Sequence, residues 1–243
     1  MDLAIGRLKF RRPDWLPRGV RPLVALIAVG GVVGFVHITS EILRGEKAGP
    51  DRFILLALRV PGHPEKPIGP AWLLQSAIDL SALGGFTFIW LFTLATLGFL
   101  LLIRRWAAAG VFFLAIAGAS GLNAVLKLGI HRARPEVVPH LAEVSNASFP
   151  SGHAMISAAT YMTVGALLAQ TQPSRLVRTY LVSLSIVLAL MIGISRLYLG
   201  VHWPSDVLAG WFLGGAWALL FWSLAHHAER ILGVQPTEAG TPL

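Results

Sequence analysis

Three short polar groups interrupt an otherwise apolar chain, each at the edge of an apolar run. They are Lys127 with Arg134-Pro135, then Pro150-Ser151-Gly152-His153, then Ser195-Arg196 with His202 and Asp206. Together they offer three cations, two histidines, a carboxylate and a glycine at a helix start. That set suits binding a phosphate and cutting it off through a histidine. A phosphate monoester carries up to two charges, and its transition state spreads charge over the outer oxygens, where preplaced positive groups stabilise it. Arg134 and Arg196 can each give paired hydrogen bonds to phosphate oxygens, and Lys127 adds a compact charge.

The other two groups complete the chemistry. Ser151 is a good N-cap, and Gly152 lets the backbone approach an anion closely. Free N–H groups and the positive end of the helix dipole then point at a bound phosphate. His202 and Asp206 are four residues apart at the start of a later span. If the helical turn includes His202, both side chains share one face. Asp206 then accepts from Nδ1–H of His202, which leaves Nε2 as an in-line nucleophile. Each group alone also has a plainer reading: a snorkelling lysine, helix-start punctuation, a capping aspartate beside an interfacial histidine. A metal is disfavoured. His131, His140, His153 and His202 fall on one side, but no familiar ligand spacing appears apart from His202 with Asp206.

The elements that must hold these groups are membrane spans. The 243 residues are 55% hydrophobic and 13% charged. Soluble domains carry about 25% charged residues. The predicted fold is all-α, a polytopic bundle of six transmembrane helices at 22–42, 84–103, 107–127, 153–170, 179–199 and 205–225. Each has the roughly 20 residues that a hydrocarbon core of about 30 Å requires. The whole chain, 1–243, reads as one integral-membrane domain. It comprises a basic tail at 1–21, an outer loop at 45–83, catalytic helices over 107–225 and a flexible tail at 233–243. The outer loop holds two apolar pieces too short to span, expected as interfacial helices, with a surface-packed connector favoured over a lid.

Net charge is +8, and much of it lies in Arg7, Lys9, Arg11, Arg12, Arg18 and Arg21. That is a topology signal and a contact for anionic lipid heads, not a nucleic-acid surface. With this tail in the cytoplasm, Arg104-Arg105, Arg175 with Arg178, and Arg230 also fall inside. The C-terminus returns to the cytoplasm, and all three polar groups reach the outer side. The first run lacks a clear cleavage site and reads as a retained span. The absence of cysteine excludes disulfides, thiolate zinc sites and thiol nucleophiles. Asn146-Ala147-Ser148 is a glycosylation sequon by pattern only.

Read together, Lys127-x6-Arg134-Pro135, Pro150-Ser-Gly-His153 and Ser195-Arg196-x5-His202-x3-Asp206 match in order the signature of the type-2 phosphatidic acid phosphatase superfamily. The resemblance spans about 107–225. The layout resembles the integral-membrane bacterial branch, which includes undecaprenyl pyrophosphate and phosphatidylglycerophosphate phosphatases. It implies that Lys127, Arg134 and Arg196 hold phosphate oxygens with Ser151 and the Gly152 backbone. It further implies that His202 forms a phosphohistidine oriented by Asp206. His153 would protonate the leaving oxygen and then activate water. No metal or other cofactor is implied. The expected partners are a lipid phosphate and the bacterial inner membrane, with the site at the periplasmic face. The expected substrate is undecaprenyl pyrophosphate, phosphatidylglycerophosphate or phosphatidic acid. A lipid phosphotransferase or lipid A phosphatase is the alternative, an anion transporter is a rival of another class, and oligomeric state is open.

Overall fold

The computed structural model describes residues 20–46, 48–144 and 147–231. Asn146, the basic residues from Arg7 to Arg18 and the tail at 233–243 lie outside them, so the expectations placed there are not addressed. The elements run α1 (Val20–Leu43), α2 (Ala48–Ala57), β1 (Arg59–Val60), β2 (His63–Pro67), α3 (Ala71–Leu83), α4 (Phe86–Leu102), α5 (Trp106–Ile130), α6 (Gly152–Thr171), α7 (Arg175–Tyr198) and α8 (Pro204–Ile231).

Five helices, α1, α5, α6, α7 and α8, are long and apolar enough to cross a membrane. The sixth candidate span is a bent pair, in which α3 and α4 meet at 48°. The expected second span corresponds to α4, which has only 17 residues. The chain breaks at Gly84-Gly85, and α3 carries the path further. Leu26, Ile27, Val29 and Val33 of α1 are more than half exposed on the outside of the bundle. That is costly in water and ordinary in lipid.

The centre is α6, packed against α5, α7 and α8. Its buried face is built of Ala154, Met155, Ser157, Ala158, Ala159 and Thr160. Small residues substitute for a hydrophobic driving force between membrane helices by letting backbones approach. Gly210 of α8 shows how tight this is: a Cβ there would lie 2.9 Å from both Ala154 Cβ and the Ser151 carbonyl. This crossing clamps the start of α8 to the start of α6, and Ser151 N–H donates to the Asp206 carbonyl at 3.1 Å.

Both short helices expected in the outer loop form, and both pack on the bundle. Asp51 and Leu55 of α2 are buried. Leu73, Leu74 and Ala77 of α3 pack with Tyr198, Leu199 and Val201 at the end of α7. Between them lies an unforeseen two-stranded antiparallel hairpin, β1–β2, turned at Gly62 with φ +80°. Its Pro- and Gly-rich sequence carries little strand signal. Arg59 of β1 is 3% exposed and donates to the Tyr198 carbonyl at 3.0 Å. The hairpin is thereby tied to the turn that precedes His202.

Candidate active site

Four helix ends meet at one end of the bundle. α5 ends at Ile130, where His131 takes a left-handed conformation with φ 47° and closes the last turn onto the Lys127 carbonyl. α6 begins at Gly152 because Ser151 caps it, accepting from Ala154 N–H at 3.5 Å. α7 ends at Tyr198, and Gly200 supplies the positive φ of 73° that turns the chain. α8 begins at Pro204, whose missing N–H is harmless at a first helical position.

His202 lies in the turn before α8, not within its first helical turn as one sequence reading required. It is 2% exposed. Nδ1 lies 3.5 Å from Asp206 Oδ2. The Ser148 hydroxyl lies 3.4 Å from the same Nδ1 and donates to the same carboxylate oxygen. On the other side of the ring, Nε2 lies 3.4 Å from the Arg134 guanidinium. A guanidinium only donates, so Nε2 is the acceptor and Nδ1 carries the proton toward Ser148 and Asp206. Burial pushes the His202 pKa down to about 4, against the opposing pull of Asp206. The imidazole is therefore neutral at pH 7.

The cations surround this ring. Arg134 donates to the Val201 carbonyl at 2.6 Å, which fixes it beside the histidine turn. Burial lowers its pKa without threatening its charge. Arg196, 4% exposed, donates to Ser81 Oγ of α3 at 2.5 Å, while its Nε is buried without a hydrogen-bond partner among the described residues. Lys127 Nζ donates to the Ala147 carbonyl at 2.7 Å. His153 stands in the first turn of α6, half-buried, with its ring against Gly84 at the α3–α4 bend. The structure thus brings Lys127, Arg134, Ser151, Gly152, His153, Arg196, His202 and Asp206 to the same end of the bundle. Among the described residues, no three His, Cys, Asp or Glu side chains cluster as a metal would need.

Sequence reasoning missed several contributors. Ser148 adjoins the Pro-Ser-Gly-His group but carries no signal of its own. Ser81 and Gly84 come from a distant helix. Asn123, 5% exposed on α5, donates to the Pro150 carbonyl at 3.4 Å and braces the second group. Arg132, inside the first group but passed over there, is bonded to Asp206 at 2.5 Å and to Asp51 at 2.7 Å.

The family model described as "PAP2 superfamily" matches residues 108–230. The chain belongs to the PAP2 superfamily. Phosphatidylglycerophosphatase B of Bacillus subtilis (strain 168) is 35% identical over 162 residues, covering 66% of this chain and 77% of that protein. An undecaprenyl-diphosphatase of Sulfolobus acidocaldarius is 43% identical over 67 residues, 28% of each chain. The crystal structure of a transmembrane PAP2-type phosphatidylglycerolphosphate phosphatase from Bacillus subtilis superposes with a TM-score of 0.72 at 27% identity, covering 87% of this chain and 98% of that one. This PAP2 chain is therefore an integral-membrane lipid phosphatase. The match includes every motif residue from Lys127 to Asp206, but α1 to α4, which supply Asp51, Ser81 and Gly84, lie before residue 108.

Proposed function

We propose that this PAP2 phosphatase cleaves a lipid phosphate at the outer leaflet through a phosphohistidine on His202, without a metal. The observation that carries the reading is the two-sided setting of that ring. Nε2 faces the cationic side at Arg134, while Nδ1 is backed by Ser148 and Asp206. A neutral imidazole with its lone pair toward a cation cluster is an armed nucleophile for phosphorus. Lys127, Arg134 and Arg196 hold the equatorial oxygens, aided by Ser151 and the Gly152 N–H at the start of α6. Nε2 forms the N–P bond as the P–O bond to the lipid breaks. A protonated His153 gives its proton to the leaving oxygen, and the neutral ring then takes one from the water that attacks the phosphohistidine. Asp206 stabilises the imidazolium in between.

Phosphatidylglycerophosphate is the first substrate to test, because a relative named for that activity aligns over most of this chain; undecaprenyl diphosphate is second. The basic pair Arg104-Arg105 and Arg175 sit at the connections of the opposite bundle end. By the positive-inside rule that end is cytoplasmic, which assigns the termini to the cytoplasm of an inner-membrane protein and the site to the periplasm.

The test is phosphate release by detergent-solubilised protein in EDTA from these lipids, with His202→Ala alongside. Release that survives EDTA and disappears in the variant is expected. Release abolished by EDTA, or retained in His202→Ala, overturns the mechanism.

A further inference from the structure

We infer that Arg132, held by Asp51 of the outer-loop helix α2, is a positioning residue that sets the Asp206–His202 pair. This rests on His202 being the nucleophile. The start of α8 has a problem that its own sequence does not solve. The residue before Pro204 is Trp203, which has no side-chain acceptor for the free N–H groups of the first turn. Asp206 turns back to accept from the Trp203 N–H through Oδ2 at 2.9 Å, as the third residue of a capping box does. The remaining cap comes from 154 residues away: Asp51 Oδ1 accepts from Ser205 N–H at 2.9 Å, and Oδ2 from the Ser205 hydroxyl at 2.5 Å.

Arg132 joins these two carboxylates. Nη1 reaches Asp206 Oδ1 at 2.5 Å and Ser205 Oγ at 2.7 Å, and Nη2 reaches Asp51 Oδ2 at 2.7 Å. Its guanidinium also lies 5.6 Å from the Trp203 ring, whose Nε1–H donates to the Ala133 carbonyl. Asp51 and Asp206 are 3% and 0% exposed. Two buried carboxylates around one cation fix its orientation tightly. The consequence falls on Asp206. With Oδ1 taken by Arg132, Oδ2 is the oxygen left for Ser148, Trp203 N–H and His202 Nδ1. Arg132 is thus committed behind the carboxylate, on the side away from Nε2, and is not a phosphate ligand. The outer-loop helix becomes part of the nucleophile's support.

The test uses the full-length chain in detergent with a 32P-labelled lipid phosphate. Steady-state kinetics, alkali-quenched phosphoenzyme and thermal unfolding are compared for wild type, Arg132→Ala, Arg132→Lys, Asp51→Asn and Asp51→Asn/Arg132→Ala. Misplacement of a reacting group by about 1 Å can cost about 100-fold. Arg132→Ala is expected to lower kcat by about that factor with KM changed less than about threefold, because the phosphate contacts remain. Phosphoenzyme formation slows in step. Asp51→Asn, the milder change that retains an acceptor for Ser205, loses roughly tenfold and adds nothing in the double variant, since it acts through Arg132. Arg132→Lys recovers part of the rate. A rise in KM at unchanged kcat makes Arg132 a substrate ligand and overturns the inference. So does wild-type kcat per folded molecule with only a lower unfolding temperature, or additive losses in the double variant. Label on a residue other than His202 overturns the nucleophile reading itself. Label on His202 at the wild-type rate in Arg132→Ala overturns the positioning role alone.

Discussion

Replacing Gly84 with alanine tests whether the α3–α4 bend truly holds His153. The residue sits at φ −97° and ψ 1°, outside the positive-φ region that favours glycine, so no left-handed backbone strain enters. The cost is contact. The new Cβ would lie 2.5 Å from Ile192 Cγ2, 3.2 Å from His153 Cδ2 and 3.4 Å from His153 Cβ. Restoring an ordinary 3.4 Å contact requires about 0.9 Å of separation from Ile192. Ile192 is fully buried among Ile89, Phe112 and Ile116 and cannot retreat that far alone. Overpacking of this kind costs about 1–3 kcal/mol. Reduced freedom of the unfolded chain returns about 0.4–1 kcal/mol. The net is roughly 1–2 kcal/mol of destabilisation, a fall in unfolding temperature of about 2–8 °C for a chain of this size. Part of the strain pushes the His153 ring, and a shift of a few tenths of an ångström should cost roughly tenfold in kcat, against about 100-fold for 1 Å. Tryptophan-fluorescence unfolding and initial rates on a lipid phosphate, both in detergent, measure the two effects. Gly98→Ala is the control, because a Cβ there meets nothing within 4 Å. Wild-type unfolding temperature and kcat in Gly84→Ala, or equal losses in Gly98→Ala, refute the contact account.

The pH dependence follows from His202. Its pKa of about 4 lies below the ordinary 6.5, so the acid limb of kcat/KM should fall as the ring protonates near pH 4 and not near pH 6.5. The unfolded chain takes up that proton first as pH drops, so wild type should lose stability between pH 6.5 and about 4 relative to His202→Gln, in parallel thermal scans. Arg134→Lys keeps the charge but loses the planar fork, and kcat/KM should fall about 10–100-fold, the worth of one charge-assisted hydrogen bond of about 1.5–3 kcal/mol. Gly200→Ala meets both a φ of 73° and contacts of 2.7–2.8 Å with Arg59, Pro139 and Val138; it should cost about 2 kcal/mol or more, seen as a lower unfolding temperature.

The spans were legible because apolar runs of about 20 residues leave little choice in a membrane. Their ends were less so. α7 begins at Arg175, four residues before the expected 179, because Ser174 caps it, whereas the charges at Arg175 and Arg178 had been read as belonging to the connection. The motif residues were legible because their types are costly at a membrane surface and their order is distinctive. What supports them was not. Ser148 reaches His202 across 54 residues, Ser81 reaches Arg196 across 115, and Asp51 reaches Ser205 across 154. A serine or a helix-start aspartate is unremarkable in sequence, and local periodicity says nothing about which distant helix end it will meet. Arg132 lay within the first motif itself, yet its partner was hidden in a loop read as a connector.

The α6–α8 clamp at Gly210 also has a consequence for biosynthesis. The chain emerges from α1 onward, so the cation-bearing ends of α5 and α7 enter the bilayer before α8 exists. Until α8 inserts and its Gly210 slides against Ala154, the His202 turn has no Asp206 behind it and no anchor for Asp51. A chain cut before Pro204 should therefore show no turnover of a lipid phosphate, and the insertion of α8 is the step that completes the enzyme.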